Sequence, residues 1–232
     1  MRRFDAVIFD LFGTLIKNFD VPQHDRLVVE MAALMAVTHD DFAPLWNDAT
    51  WPQRAIGAFD SPEANIRHIC QLLQHEVAEE RITAAADLRR AFTRRSLVAW
   101  PDAVPTLTAL RRDGYAIGLI SDCSSEVPLF WTETPLAPII DVAIFSCTVG
   151  LKKPDPHIYL LATDQLGVAP ERCLYIGDGG SQELTGAQVV GMVPALIQHR
   201  LEGDGAYRRD VGRWSGASIT SLTEVLAIVQ GE

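Results

Sequence analysis

Four short segments carry side chains whose types and placing could do chemistry together. The first is Asp10, which ends the apolar run Ala6-Val7-Ile8-Phe9 and precedes Leu11-Phe12-Gly13-Thr14-Leu15. A run of β-formers closed by a glycine turn reads as a buried parallel strand. Such a strand delivers its carboxylate to the end where open α/β sheets bind ligands. The second is Ser121, after Ala116–Ile120 and before Asp122-Cys123-Ser124-Ser125, where a hydroxyl and turn N–H groups can hold an oxyanion. A serine cluster after a strand also serves simply to cap the next helix.

Lys153 stands third, in Lys152-Lys153-Pro154-Asp155-Pro156. Proline keeps the residue before it extended, so Lys153 is presented in one direction, as a compact charge suited to phosphate. Lys152 suits a solvated loop position. The fourth is Gly177-Asp178-Gly179-Gly180-Ser181-Gln182-Glu183, after the apolar run Leu174–Ile176. A strand-end carboxylate, two glycines and a second acid offer a hard cation oxygen ligands and close backbone approach.

The elements that must position these groups alternate. Apolar runs at Ala6–Phe9, Ala116–Ile120, Val142–Phe145, Leu174–Ile176 and Val193–Ile197 are separated by helical patterns, which argues a parallel, doubly wound α/β sheet. A last strand–helix pair is expected near Ile219 and Leu222–Val229, after a polar loop with Asp204, Arg208 and Arg209. The stretch from Thr14 to Ala116 is too long for one crossover and shows helices only. They are expected at Arg26–Val37, at Asp41–Ala49, from the Ser61-Pro62-Glu63 start, and from a Thr83 cap through about Arg95. Residues 17–97 therefore read as a separate small bundle, with 1–16 and 98–232 as the sheet domain and Ala103–Arg112 as a crossover helix.

The 232 residues, 48% hydrophobic, suffice for one domain with an insertion. Acids exceed bases by 30 to 20 and no basic block appears, so nucleic acid is not an expected partner. Neither a signal peptide nor a membrane span is evident, and the four cysteines form no CxxC pair. No membrane association and a reducing, cytoplasmic location are expected; oligomeric state is not legible. The six histidines show no ligand spacing. Trp46, Trp51 and Trp100 suit core packing better than a substrate pocket, and Trp131 and Trp214 read as structural.

The ordered set Asp10-Leu11-Phe12-Gly13-Thr14, Ser121, Lys153-Pro154-Asp155-Pro156 and Gly177-Asp178 with Glu183 resembles the haloacid dehalogenase superfamily of hydrolases. The resemblance spans the chain and implies a Rossmann-like core with a helical cap inserted between the first and second motifs. It implies Asp10 as nucleophile, forming an aspartyl intermediate on a small phosphorylated substrate. It further implies Mg²⁺ held by Asp10, the Phe12 carbonyl and Asp178, with Glu183 orienting the metal shell. Ser121, Lys153 and the neighbouring Asp122 fall where the phosphoryl group is bound, and Lys153 would also offset the charge of Asp10.

Phosphatases of this family carry a second Asp where this chain has Phe12. A phenylalanine cannot protonate a leaving alcohol, and acid–base help is worth about 10²–10⁴-fold. A weak esterase is expected unless Glu183, Asp122 or a cap residue substitutes; acyl phosphates would suffer less. The dehalogenase branch also lacks that Asp and needs no metal, so a 2-haloacid dehalogenase using Asp10 is an alternative. Asp178 and Glu183 would repel Asp10 without a cation, which favours the Mg²⁺-dependent reading. A non-catalytic relative that binds a phosphorylated ligand is the third.

Overall fold

The computed structural model describes residues 2–199 and 214–231. Six strands form one parallel sheet: β1 (Ala6–Phe9), β2 (Ala116–Ser121), β3 (Val142–Phe145), β4 (Cys173–Gly177), β5 (Val193–Ile197) and β6 (Ala217–Ile219). Their order is β3-β2-β1-β4-β5-β6, a Rossmann-like arrangement with β1 in the middle. The order reverses beside β1, where sheets of this kind open a ligand crevice.

The unbroken apolar run of β1 follows from burial on both faces. Val7 and Phe9 face the layer of α6 (Ala103–Arg112) and α11 (Glu224–Gln230). Ala6 and Ile8 face the layer of α9 (Pro156–Leu166) and α10 (Glu183–Val189). All four are fully buried, and each of the larger three contributes about 1.5–3 kcal/mol of transfer free energy.

Between β1 and β2 the chain is helical: α1 (Val21–Met35), α2 (His39–Pro44), a π-helical turn (Leu45–Ala49), α3 (Trp51–Ala55), α4 (Pro62–Leu72) and α5 (Glu79–Ser96). These helices bury a core of their own, built on Leu27, Met31, Phe42, Trp46, Ile66 and Ile69. The expected helix starts are corrected in two places. Asp20 caps α1 by accepting the Gln23 N–H, so the helix begins before Arg26. α5 begins at Glu79, leaving Thr83 inside it; two acids in its first turn favour the earlier start. The segment expected as a helix over Asp41–Ala49 is split into α2 and the π-helical turn, and α3 follows where no helix was expected. Ser61 caps α4 as expected, accepting the Ala64 N–H at 3.2 Å.

The remaining short helices are α7 (Glu126–Trp131) and α8 (Ser146–Val149). Trp46, Trp100 and Trp131 are buried in apolar clusters. Asp204, Arg208 and Arg209 lie outside the described residues. Among the described residues no helix is long and apolar enough to cross a membrane.

Candidate active site

Asp10, Ser121 and Asp178 leave the carboxyl ends of three adjacent strands. β1 pairs with β2 on one side and β4 on the other, with Phe9 level with Leu119 and Ile176. The next residues of β1 and β4 are therefore neighbours. Lys153 reaches the same point from the loop before α9, and Glu183 from the first position of α10. The five side chains foreseen from sequence thus share one end of the sheet, and all five are buried.

Lys153 Nζ donates to Asp10 Oδ1 at 2.5 Å and to Glu183 Oε2 at 2.6 Å. Glu183 Oε2 also accepts the Tyr175 hydroxyl at 2.9 Å, and Glu183 Oε1 accepts the Gly179 N–H at 3.0 Å. Asp178 Oδ1 accepts the Gly180 N–H at 2.9 Å, and Asn18 donates to Oδ2 at 3.4 Å. One carboxylate oxygen each from Asp10, Asp178 and Glu183 lies within 4.8 Å of the others. Ser121 Oγ is buried and has no partner among the described residues.

Among the described residues, Asp10, Asp178 and Glu183 bring three carboxylates together, and the Lys153 ammonium bonds two of them. Burial raises the Asp10 carboxyl to about 6, with Lys153 pulling it down and Asp178 pushing it up. Glu183 is raised well above the usual carboxylate range by burial and by Asp10, against Lys153. Burial disfavours the Lys153 ammonium, but Asp10 and Glu183 outweigh it and hold the charge. Three buried carboxylate oxygens this close together form a hard-oxygen donor set that fits a divalent cation.

Gly13 is required by close approach. It sits at φ 78°, and a Cβ there would fall 2.2 Å from Asp178 Oδ2. Asp122 does not point its engaged oxygen at the cluster: Oδ1 accepts the Lys153 backbone N–H at 3.0 Å and fixes that loop. Phe12 turns to packing. Its ring lies 4.8 Å from that of Phe19, which in turn meets Phe92 of α5 at 5.4 Å.

Sequence reasoning missed a second group of polar residues, carried mostly by the helices. Arg89 of α5 donates to Glu126 of α7 at 2.6 Å, and both are buried. Burial pushes Glu126 up, yet Arg89 outweighs it and holds the carboxyl below its ordinary value. Arg54 of α3 stacks on Trp46, its guanidinium carbon 4.1 Å from the ring centre. His24, between Phe19 and Phe92, is pushed down to about 4 by burial and by Arg89. No spacing signal marks these residues, because an arginine on a helix normally reads as solvated.

A parallel sheet with an acid cluster at its switch point defines a class, and comparison with known proteins names it. Residues 4–191 match the model of the haloacid dehalogenase-like hydrolases. The chain belongs to that family and is a hydrolase. It is 28% identical to a glyceraldehyde 3-phosphate phosphatase of Methanopyrus kandleri over 213 residues, covering 88% of each chain. It is 30% identical to a phosphoserine phosphatase of Thermus thermophilus over 173 residues, 72% of this chain and 67% of that one. An (S)-2-haloacid dehalogenase of Burkholderia cepacia is 26% identical over 201 residues, 84% of this chain and 83% of the other. The crystal structure of a phosphatase of the same superfamily from Thermococcus onnurineus shares the fold, with a TM-score of 0.65, 24% identity and 99% of both chains covered.

Proposed function

We propose that this hydrolase is a Mg²⁺-dependent phosphohydrolase acting on a small phosphorylated metabolite through Asp10. The observation that carries the reading is the buried trio of carboxylate oxygens from Asp10, Asp178 and Glu183, all within 4.8 Å of one another. A dehalogenase needs no such set of metal ligands. Two of the relatives just named are phosphatases, which supports the same side.

Asp10, Asp178 and the Phe12 carbonyl would hold the cation, with Glu183 bracing the site through Lys153 and Gly179. Bound there, Mg²⁺ supplies positive charge to the phosphoryl oxygens and offsets the acid cluster. A carboxylate oxygen of Asp10 attacks phosphorus as the bond to the leaving oxygen breaks, forming an aspartyl-phosphate. Water then attacks that phosphorus, releasing phosphate and restoring Asp10. The unmatched Ser121 hydroxyl and the Lys153 ammonium donate to the transferred oxygens. Asp122 contributes by fixing the Lys153 loop beside them.

Phe12 leaves the leaving group without the acid that phosphatases of this family place there. Glu183 does not substitute, since both of its oxygens are engaged by Lys153, Tyr175 and Gly179. Acyl phosphates, which leave without protonation, are therefore favoured over alkyl esters. Residues 17–97 form the cap over a core of 1–16 and 98–232, and the four free cysteines suit a reducing cytoplasm.

Phosphate release is to be measured with and without Mg²⁺ on acyl phosphates, glyceraldehyde 3-phosphate, phosphoserine and nucleotides, with chloroacetate as a control. Mg²⁺-dependent release, lost in Asp10→Asn, is expected. Metal-independent halide release without phosphate release would establish the dehalogenase instead. Phosphate binding without turnover of any substrate would establish a non-catalytic relative.

A further inference from the structure

Outside the Asp10 cluster, Arg54 is a buried charge among the described residues. Its side chain is only 7% exposed. Nη2 donates to the Trp46 carbonyl at 2.7 Å, while Nε and Nη1 are buried with no partner among the described residues. The guanidinium carbon lies 4.1 Å from the ring centre of Trp46 and 5.6 Å from that of Trp51. A buried guanidinium with open N–H groups is costly unless an anion completes it.

Among the described residues no carboxylate pairs with it. Glu126, the acid that acts on it, is spent on Arg89, and Arg89 adds a repulsive charge of its own. Burial and Arg89 together bring the Arg54 guanidinium down to about 9, so it stays charged at neutral pH. Two cations thus face one acid.

The location joins this group to the reaction centre. From Phe12, two residues after Asp10, ring contacts run to Phe19 at 4.8 Å. Arg89 lies 5.6 Å from the Phe19 ring and 5.8 Å from Trp46, the ring on which Arg54 stacks. On the sheet side Glu126 follows Ser121 by five positions. At Gly57, just past α3, a Cβ would strike the Cys147 carbonyl of α8 at 1.9 Å, so this turn is pressed onto the sheet domain.

Resting on the phosphohydrolase reading, we infer that Arg54 binds a carboxylate on the substrate, so that the enzyme acts on small phosphorylated carboxylic acids. The planar guanidinium fork matches a carboxylate, and the indole stack fixes its plane. Trp46 and Trp51 exclude water from the pair and so strengthen it. Binding this group spends energy far from the phosphorus, which orients the phosphoryl group on Asp10.

The test is calorimetric binding, with Mg²⁺ present, of alkylphosphonates that end in a carboxylate and differ in chain length. Each is paired with the plain alkylphosphonate of the same length. The wild type should bind one carboxylated member about tenfold or more tightly than its plain partner. Arg54→Gln should abolish that preference and leave plain phosphonate binding unchanged. If Arg54→Gln loses both, its fold is damaged and Arg54→Lys decides, since it keeps the charge but not the fork. A reduced preference with plain binding intact then supports the inference. A wild type that binds plain and carboxylated phosphonates alike, or a preference that survives both substitutions, overturns the carboxylate site alone. Binding of no phosphonate, with halide release from chloroacetate that Arg54→Gln abolishes, overturns the phosphohydrolase reading and keeps the site. Silence in every arm overturns both.

Discussion

Two buried charge clusters, one rich in acids and one in guanidiniums, lie on either side of the Phe12–Phe19 contact. Around Asp10, three carboxylates share one ammonium. Around Arg54, two guanidiniums share one carboxylate. The first suits a cation on the sheet side, and the second, as inferred above, an anion on the helical side. The contrast lies in the groups that carry the charge. Burial raises the Asp10 carboxyl to about 6, and the second cluster leans on aromatic faces.

The comparison breaks most sharply at the nucleophile. Asp10→Asn removes the attacking oxygen and should lower phosphate release by on the order of 10³-fold or more, while leaving the fold intact. Unchanged turnover in that variant would mean the reaction runs elsewhere.

Phe12→Asp comes next. It places an acid where the leaving oxygen departs, and ester turnover should rise by about 10²-fold, the lower end of general acid–base gains, because the Phe19 contact is lost. Steady-state kinetics on an alkyl and an acyl phosphate check it, and the alkyl ester should gain more.

Glu126→Gln tests the helical cluster. It strands Arg89 beside Arg54, and a loss of about 3–5 kcal/mol in denaturant unfolding is expected. The pH dependence has a definite sign. Glu126 is depressed in the folded state, so its stabilisation is present above the ordinary carboxylate value and is lost as pH falls through the lower folded one. Melting temperature in the wild type should drop below about pH 4.5, the unfolded reference. Glu126→Gln should flatten that part of the drop; an equally steep one would assign it to other acids.

Arg67→Ala is the smallest step. Arg67 bonds Glu79 across the surface, with both side chains well exposed. A change within about 0.5 kcal/mol is expected, which would confirm that burial, and not pairing as such, sets the cost in the other cluster.

Much of this was legible beforehand where one short segment both builds an element and ends in a functional group. Ala6–Phe9 is apolar because both faces are covered, and its last turn must expose Asp10 at the sheet end. The same holds for Ser121 and for Gly177-Asp178. The partners of these groups were less legible. Asp122 was expected at the phosphoryl group, and the oxygen seen engaged in the structure bonds the Lys153 backbone. Cys123 and Cys147 belong to no CxxC pair, yet their sulfurs lie 3.8 Å apart.

The helical region divides in the same way. Ser61-Pro62-Glu63 marks a helix start through local capping alone, so it reads correctly. Thr83 resembles a cap and is not one, because the helix starts one turn earlier, where two acids sit at the positive end of its dipole.

Sequence by itself determined the parallel sheet, the run of helices between its first two strands and the three side chains at strand ends, since strand pattern and turn chemistry are local properties. Only the tertiary structure decided which charges are balanced. Whether Arg54 is a solvated helix residue or a buried cation with open N–H groups depends on Trp46, Trp51, Arg89 and Glu126. The last two of these are distant in the chain, and only folding removes the water that would otherwise screen them.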